Sequence, residues 1–361
     1  MTQRLNDTII TQLLHEPEST VELLDMIYVS DEHLSIRRFF KESKFEYLTP
    51  DGTNLKHKEH LERIKSLVIP PAWQNVKITH LPNGHLQAIG KDAKERKQYR
   101  YHPLWTKIRN QTKFYKMAAF GKVLPKIRKK VERDLDQNGW PKSKVLALIV
   151  KLMEETHIRI GSEQYARRNK TYGLSTLRTK HVNIYKDRLK FEFIGKRGKK
   201  HSISVRNKKL LRLVSKCEEI PGWELFQYYD KDGEKHSVDS GMVNTYIHDI
   251  SGELFSAKDF RTWAASVVFF DTLYDLEKTV DKKQIHKNTL IGFDAAAKAL
   301  GNTRNVCRKS YVHPLVVSKY EDGSLSKQFN ELERIKKEKP YLSPSEEVLL
   351  KLYGTYTPLK N

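Results

Sequence analysis

The chain has 361 residues, with 66 Lys or Arg against 44 Asp or Glu, a formal net charge of +22. Hydrophobic residues make up 38% and aromatic residues 10%, which argues against global disorder and gives length enough for two domains, or three, each with its own core. No apolar run approaches the ~18 residues of a membrane span, and the two cysteines, Cys217 and Cys307, are too few for a disulfide framework or a cysteine-rich zinc site.

The opening MTQRLNDTIITQLLHEPE has no basic n-region ahead of an apolar stretch, so no signal peptide is expected there. Residues 34–40 and 45–48 are short, rich in aromatic or branched side chains, and predict strands, the second closed by Pro50-Asp51-Gly52. Residues 57–67 predict a helix stopped by Pro70-Pro71, and Pro82-Asn83-Gly84 predicts a hairpin between strands 76–81 and 85–90. After His102-Pro103 the pattern turns helical, over 107–135 and 144–158 with a break at Gly139-Trp140-Pro141, which puts a domain boundary near residue 103. Residues 188–194 (RLKFEFI) alternate, and 201–205 (HSISV) follow Gly195-Lys196-Arg197-Gly198, a hairpin among helices. Ser256 with Asp259 three residues on predicts a helix start for 256–270. Gly301 predicts the end of helix 288–300, and Ser343-Pro344-Ser345-Glu346 opens a last helix.

Placement of the charge says more than its total. Residues 91–133 and 178–216 each carry net +12, so these two stretches hold the whole excess. Tyr99, Tyr101, Trp105, Phe114 and Tyr115 are interleaved in the first. Solvated helix faces would explain one such run; two with so little acid favour a nucleic-acid partner, whose condensed counterions they would release. No G-x-x-x-x-G-K-[ST] and no H-E-x-x-H occurs, so no ATP site and no catalytic metal site is visible. Chemistry on DNA would then have to come from side chains alone.

Asn302-Thr303-Arg304-Asn305-Val306-Cys307-Arg308-Lys309-Ser310-Tyr311-Val312-His313-Pro314 resembles the active-site tyrosine segment of the type IB DNA topoisomerases. Other landmarks follow in family order. His157-Ile158-Arg159-Ile160-Gly161 resembles the first catalytic arginine motif, and Gly173-Leu174-Ser175-Thr176-Leu177 with Lys180-His181 resembles the segment after it. Phe193-Ile194-Gly195-Lys196 resembles the hairpin of the catalytic lysine, and Lys258-Asp259-Phe260-Arg261-Thr262-Trp263 the second arginine motif. Arg96-Lys97-Gln98-Tyr99-Arg100-Tyr101 resembles a DNA-contacting strand of the small N-terminal domain. The likeness covers roughly residues 25–320 and is to the compact poxvirus-like and bacterial branch.

The resemblance implies an α+β clamp around DNA. A small, largely antiparallel N-terminal domain (1–103) would precede a larger helical catalytic domain containing a hairpin (104–361). It implies relaxation of supercoiled duplex DNA by a monomer, through a 3′-phosphotyrosyl intermediate, without cofactor, ATP or metal, in the nucleoid-associated cytoplasm. It carries catalytic roles to Arg159, Lys196, Arg261, Asn302 and Tyr311, and DNA contacts to Gln98, Tyr99, Tyr101, Tyr165, Lys180 and His181.

The residue types suit that chemistry. A phenol of ordinary pKa near ~10 needs nearby cations to attack as phenolate. The sugar alkoxide leaves poorly and needs a general acid, for which Lys196 on its basic hairpin is suited. Growing charge on the non-bridging oxygens calls for the forks of Arg159 and Arg261. Asn302 stands where viral and nuclear members carry histidine; it can donate N–H to a phosphate oxygen but cannot titrate. Each residue alone has a plainer reading. Tyr311 would serve as a core phenol, Arg159 as a helical partner of Glu155 at i,i+4, Lys196 as one phosphate contact among several, and Asn302 as a turn residue. A site-specific tyrosine recombinase shares the chemistry, but usually has His-x-x-Arg where this chain has Lys258-Asp259-Phe260-Arg261. A non-catalytic DNA-binding protein would leave the ordered motifs unexplained.

Overall fold

The structure, a computed structural model, describes residues 21, 25–252, 255–277 and 279–357; the opening segment considered above for a leader lies outside the described residues. The chain divides into two compact units, one running to Lys113 and the other Phe114–Tyr356.

The first unit is built on a five-stranded antiparallel sheet of order β2-β1-β3-β4-β5. Its strands are β1 (Ile36–Lys41), β2 (Lys44–Leu48), β3 (Gln74–Ile78), β4 (Leu86–Lys91) and β5 (Lys97–Tyr101), with helix α1 (Lys58–Ser66) between β2 and β3. The β1–β2 turn is Glu42-Ser43, both left-handed, the geometry a two-residue hairpin demands but without the usual Asn-Gly signal. Ile36, Ile64, Val76, Ile78 and Ala88 make a small core under the sheet. Arg63 ties α1 to it by donating to the Thr79 carbonyl at 2.7 Å and Gln87 Oε1 at 2.5 Å. Asp92 organises the turn into β5, accepting from Lys94 N, Arg96 N and Arg96 Nε; the Arg96 bond leads in holding its carboxyl at about 2.

The expected single helix over 107–135 is two: α2 (Pro103–Tyr115) and α3 (Met117–Leu135), separated at Lys116. No glycine or proline marks that break. Lys116 instead reaches Asp259 Oδ1 at 2.7 Å, so a tertiary ion pair sits where the local pattern would continue. The core of the second unit surrounds α4 (Lys142–Thr156), where Val145 through Val150 are all buried. The helices α5 (Glu163–Asn169), α6 (Lys208–Glu218), α7 (Ser240–Ser251), α8 (Ala257–Tyr274) and α9 (Lys282–Leu300) follow. The short α10 (Arg304–Ser310), α11 (Pro314–Glu321), α12 (Ser326–Arg334) and α13 (Pro344–Tyr353) complete it. The predicted hairpin is β7 (Leu189–Ile194) and β8 (Lys200–Val205), with β6 (Val182–Ile184) added on its other side. A second hairpin, β9 (Gln227–Tyr229) with β10 (Lys235–Ser237), was not expected from the sequence.

Buried polar contacts tie the last helix to the middle of this unit. Glu346 on α13 receives both terminal nitrogens of Arg128 at 2.7 Å and the Trp263 indole N–H at 2.8 Å. His313, fully buried, stacks on Tyr353 with ring centroids 4.2 Å apart.

Candidate active site

Arg159 is not on a helix. His157 ends α4 in the left-handed conformation (φ 54°), so residues 157–160 turn away from the helical path that Glu155 and Arg159 would need to pair. The turned segment is then held by the next loop: Leu174 N donates to the Arg159 carbonyl at 2.9 Å and Ser175 N to the Ile160 carbonyl at 2.7 Å. A Cβ at Gly173 would stand 2.4 Å from the Arg159 carbonyl oxygen, which gives that glycine its physical reason.

Arg261 lies on the first turns of α8, 4% exposed. The helix starts as expected, with Asp259 Oδ2 accepting from Ser256 N at 2.8 Å. The Arg261 guanidinium donates to two carbonyls at helix ends, His157 at the end of α4 and, at 2.9 Å, Leu300 at the end of α9. Its Nε is buried without a hydrogen-bond partner. Its Cζ is 5.3 Å from the centroid of the Tyr311 ring.

Tyr311 follows α10, its backbone N–H bonded to the Cys307 carbonyl at 3.0 Å and its phenol half-buried. Burial alone would raise the phenol pKa; the charge and hydrogen bond of Arg261, with the charges of Arg159 and Lys258, outweigh it and hold it below the ordinary tyrosine value. Ser266 on α8 fixes the backbone here, bonding to the Tyr311 carbonyl at 3.4 Å and accepting from His313 N at 3.0 Å.

Asn302 comes just after α9, which ends at Gly301 (φ 60°) as expected. Its Oδ1 accepts from Arg159 Nη2 at 2.5 Å, and its Nδ2 is buried with no partner. Two unpaired buried donors, Asn302 Nδ2 and Arg261 Nε, therefore occur in one site. Lys196 is the second residue of the β7–β8 loop, which Gly195 N closes onto the Lys199 carbonyl at 2.7 Å. Its side chain is exposed to solvent, yet crowded by protein on one side. That partial desolvation, with repulsion from Arg159, Arg197 and Lys258, lowers its pKa despite the opposing pull of Tyr311. Among the described residues no group of three or more His, Cys, Asp and Glu side chains is placed to hold a metal ion.

The family profile described as eukaryotic DNA topoisomerase I, catalytic core, matches residues 96–339, and that of the bacterial DNA topoisomerase IB N-terminal domain matches residues 44–92. A DNA topoisomerase 1B of Acanthamoeba polyphaga mimivirus is 36% identical over 287 residues, covering 78% of this chain and 85% of the viral one. The chain belongs to the type IB DNA topoisomerase family. The DNA topoisomerase I of Monkeypox virus is 22% identical over 236 residues, 65% of this chain and 72% of its own. That of rabbit fibroma virus is 26% identical over 232 residues, 62% and 68% of the two chains.

In this type IB chain the five residues assigned catalytic roles come together in the second unit, while the other six divide between the units, Gln98, Tyr99 and Tyr101 in the first and Tyr165, Lys180 and His181 in the second. Tyr99 and Tyr101 share the exposed face of β5, their rings stacked 5.9 Å apart, whereas Gln98 points to the opposite face and donates to Asp92 Oδ2 at 2.9 Å. Tyr165 on α5 is 47% exposed and Lys180 is exposed. His181 is turned inward, 8% exposed, its Nδ1 accepting from Arg178 N at 3.0 Å. Burial, then Lys180 and Arg178, lower its imidazole to about 4, so it meets neighbouring groups as a neutral ring. Sequence reasoning used Lys258 only to separate families, but its charge reaches both Tyr311 and Lys196. It missed His201, and no local pattern in HSISV distinguishes that residue.

Proposed function

We propose that this topoisomerase relaxes supercoiled duplex DNA through a covalent link on Tyr311. The Tyr311 oxygen attacks the scissile phosphorus and gives up its proton to water. The bond from phosphorus to the 5′-oxygen breaks, and Lys196 transfers a proton to that departing oxygen. The DNA 3′-phosphate is left on the tyrosine. The freed 5′-hydroxyl end rotates about the intact strand, then attacks back, returning its proton to Lys196 and releasing Tyr311. One phosphodiester is exchanged for another, so no nucleotide hydrolysis is needed to drive the cycle.

The observation that carries this reading is the phenol set against Arg261 and held below its ordinary pKa beside two buried donors without partners. Leaving such donors unpaired costs ~1–3 kcal/mol each, an arrangement that makes sense where a phosphate oxygen completes the set. Arg159 and Arg261 supply the positive charge that a divalent cation provides in other phosphoryl-transfer sites. Asn302 serves as a neutral donor, held by Arg159. Lys196, with its pKa lowered, gives up its proton more readily than an ordinary lysine.

The reading extends to duplex DNA as the partner of the two basic stretches and to a monomer acting at the nucleoid. Among the described residues no helix is long and apolar enough to cross a membrane. The test is supercoiled plasmid incubated with the protein in EDTA without nucleotide. A ladder of relaxed topoisomers is expected; a strict requirement for Mg²⁺ or ATP would overturn the mechanism.

A further inference from the structure

His201 opens β8 directly after the loop that carries Lys196, paired across the hairpin with Phe193. Its ring stacks on the Phe193 ring, centroids 4.9 Å apart and planes 10° from parallel. Two glycines make room for it. A Cβ at Gly195, the residue before Lys196, would stand 2.6 Å from the imidazole Cδ2; one at Gly301, the residue before Asn302, would stand 2.6 Å from its Cε1. The ring thus fills the space between the base of the Lys196 loop and the end of α9. Among the described residues its nitrogens make no hydrogen bond, so shape and stacking hold it. A further contact bridges the same gap, Lys199 Nζ lying 3.5 Å from the Asn302 carbonyl oxygen.

We propose that His201 is a positioning residue for Lys196: its imidazole wedges the hairpin against Gly301 and so sets the Lys196 ammonium over the bond that Tyr311 attacks. The inference rests on the reading of Lys196 as the general acid. A wedge of this kind explains the glycine at 195, whose φ of −97° is ordinary and needs none for its backbone; Gly301 is glycine already for its left-handed helix stop, and the ring uses the space it leaves. Loss of the ring frees the loop to shift. Misplacement by about 1 Å costs a catalytic group roughly 100-fold.

The experiment is single-turnover cleavage by the full chain on two duplexes, one with the ordinary 5′-oxygen at the scissile bond and one with a 5′-bridging sulfur. The sulfur leaves without help and makes the acid dispensable. His201→Ala should be slower by about 10- to 100-fold on the oxygen substrate and within about threefold of the parent on the sulfur one. Gly195→Ala, which drives a Cβ into the ring, should show the same split and serves if His201→Ala fails to fold. In the double variant the clash is gone, so Gly195→Ala should add nothing to His201→Ala. An unchanged rate on oxygen, an equal loss on both substrates, or additive defects would each overturn the wedge. Lys196→Ala is run alongside. If it recovers on sulfur while His201→Ala does not, the wedge falls and the acid stands; if Lys196→Ala itself fails to recover, the assignment of the acid falls and the wedge with it.

Discussion

Replacing Asn302 by alanine separates catalysis from stability, because its two side-chain atoms act oppositely in the free protein and together in the reaction. Asn302 Oδ1 accepts a charge-assisted hydrogen bond from Arg159 at 2.5 Å, whose loss costs ~1.5–3 kcal/mol. Asn302 Nδ2 is a buried donor without a partner, whose removal returns ~1–3 kcal/mol. The backbone bond from Asn302 N to the Ala297 carbonyl at 2.8 Å is untouched, so the end of α9 survives. Folding free energy should therefore change by less than about 1 kcal/mol, a Tm shift within ~2–4 °C for a unit of this size. In the reaction both losses have one sign: a donor to the phosphate oxygen disappears and Arg159 loses its mooring. Removal of one such donor costs ~10²–10³ in rate. The assay is single-turnover cleavage of a labelled duplex beside a thermal melt. A rate within threefold of the parent, or a large rate loss matched by a Tm drop of ten degrees, would refute the reasoning.

Other outcomes follow from the same structure. Tyr311→Phe keeps the ring beside Arg261 but lacks the attacking oxygen; covalent adduct should vanish while the Kd for duplex, measured by gel shift, stays within a few-fold. The pH profile of cleavage kcat/KM should rise through the Tyr311 ionisation, which lies below ~10, and fall through that of Lys196, which lies below ~10.5. Lys196→Ala on the sulfur-bridged substrate should lose the alkaline fall. Binding should weaken steeply with salt, log K falling by ~0.9 per phosphate neutralised for each unit of log salt, since two stretches carry the charge; a flat titration would remove them from the phosphates. Burial alone would raise the Glu346 carboxyl, but the Arg128 fork outweighs it and leaves it below its ordinary value. Its stabilisation is then present above the unfolded carboxylate pKa of ~4.3 and lost as pH falls through the lower folded value. Glu346→Gln should cost about 3 kcal/mol at neutral pH in denaturant melts, with the gap closing under acid.

Features set by local chemistry were readable in the sequence. The Ser256–Asp259 and Ser343–Glu346 helix starts, the Gly301 stop and the β7–β8 alternation each depend on residues a few positions apart. What escaped depends on distant partners. The break at Lys116 is fixed by Asp259, and the left-handed turn at His157 is met by Arg261 from another helix. The Glu42-Ser43 hairpin turn lacks the usual residues, so the strands on either side were visible and their join was not. The five catalytic candidates were recognisable only as an ordered set, since a lone tyrosine or arginine has a plain structural use. Their electrostatics were not legible at all: the unpaired amide of Asn302 and the ring of His201 between two glycines need residues about a hundred apart in the chain to be brought together.

The central claim is tested most directly by trapping the covalent intermediate. A duplex whose short downstream fragment, the one that carries the new 5′-hydroxyl, diffuses away after cleavage is incubated with the protein in EDTA without nucleotide, and the DNA-bearing peptide is sequenced by mass spectrometry. The account predicts a DNA 3′-phosphate on Tyr311 and a free 5′-hydroxyl on the released strand. An adduct on any other residue, a 5′-phosphate linkage, or an adduct that forms only with added metal would contradict it.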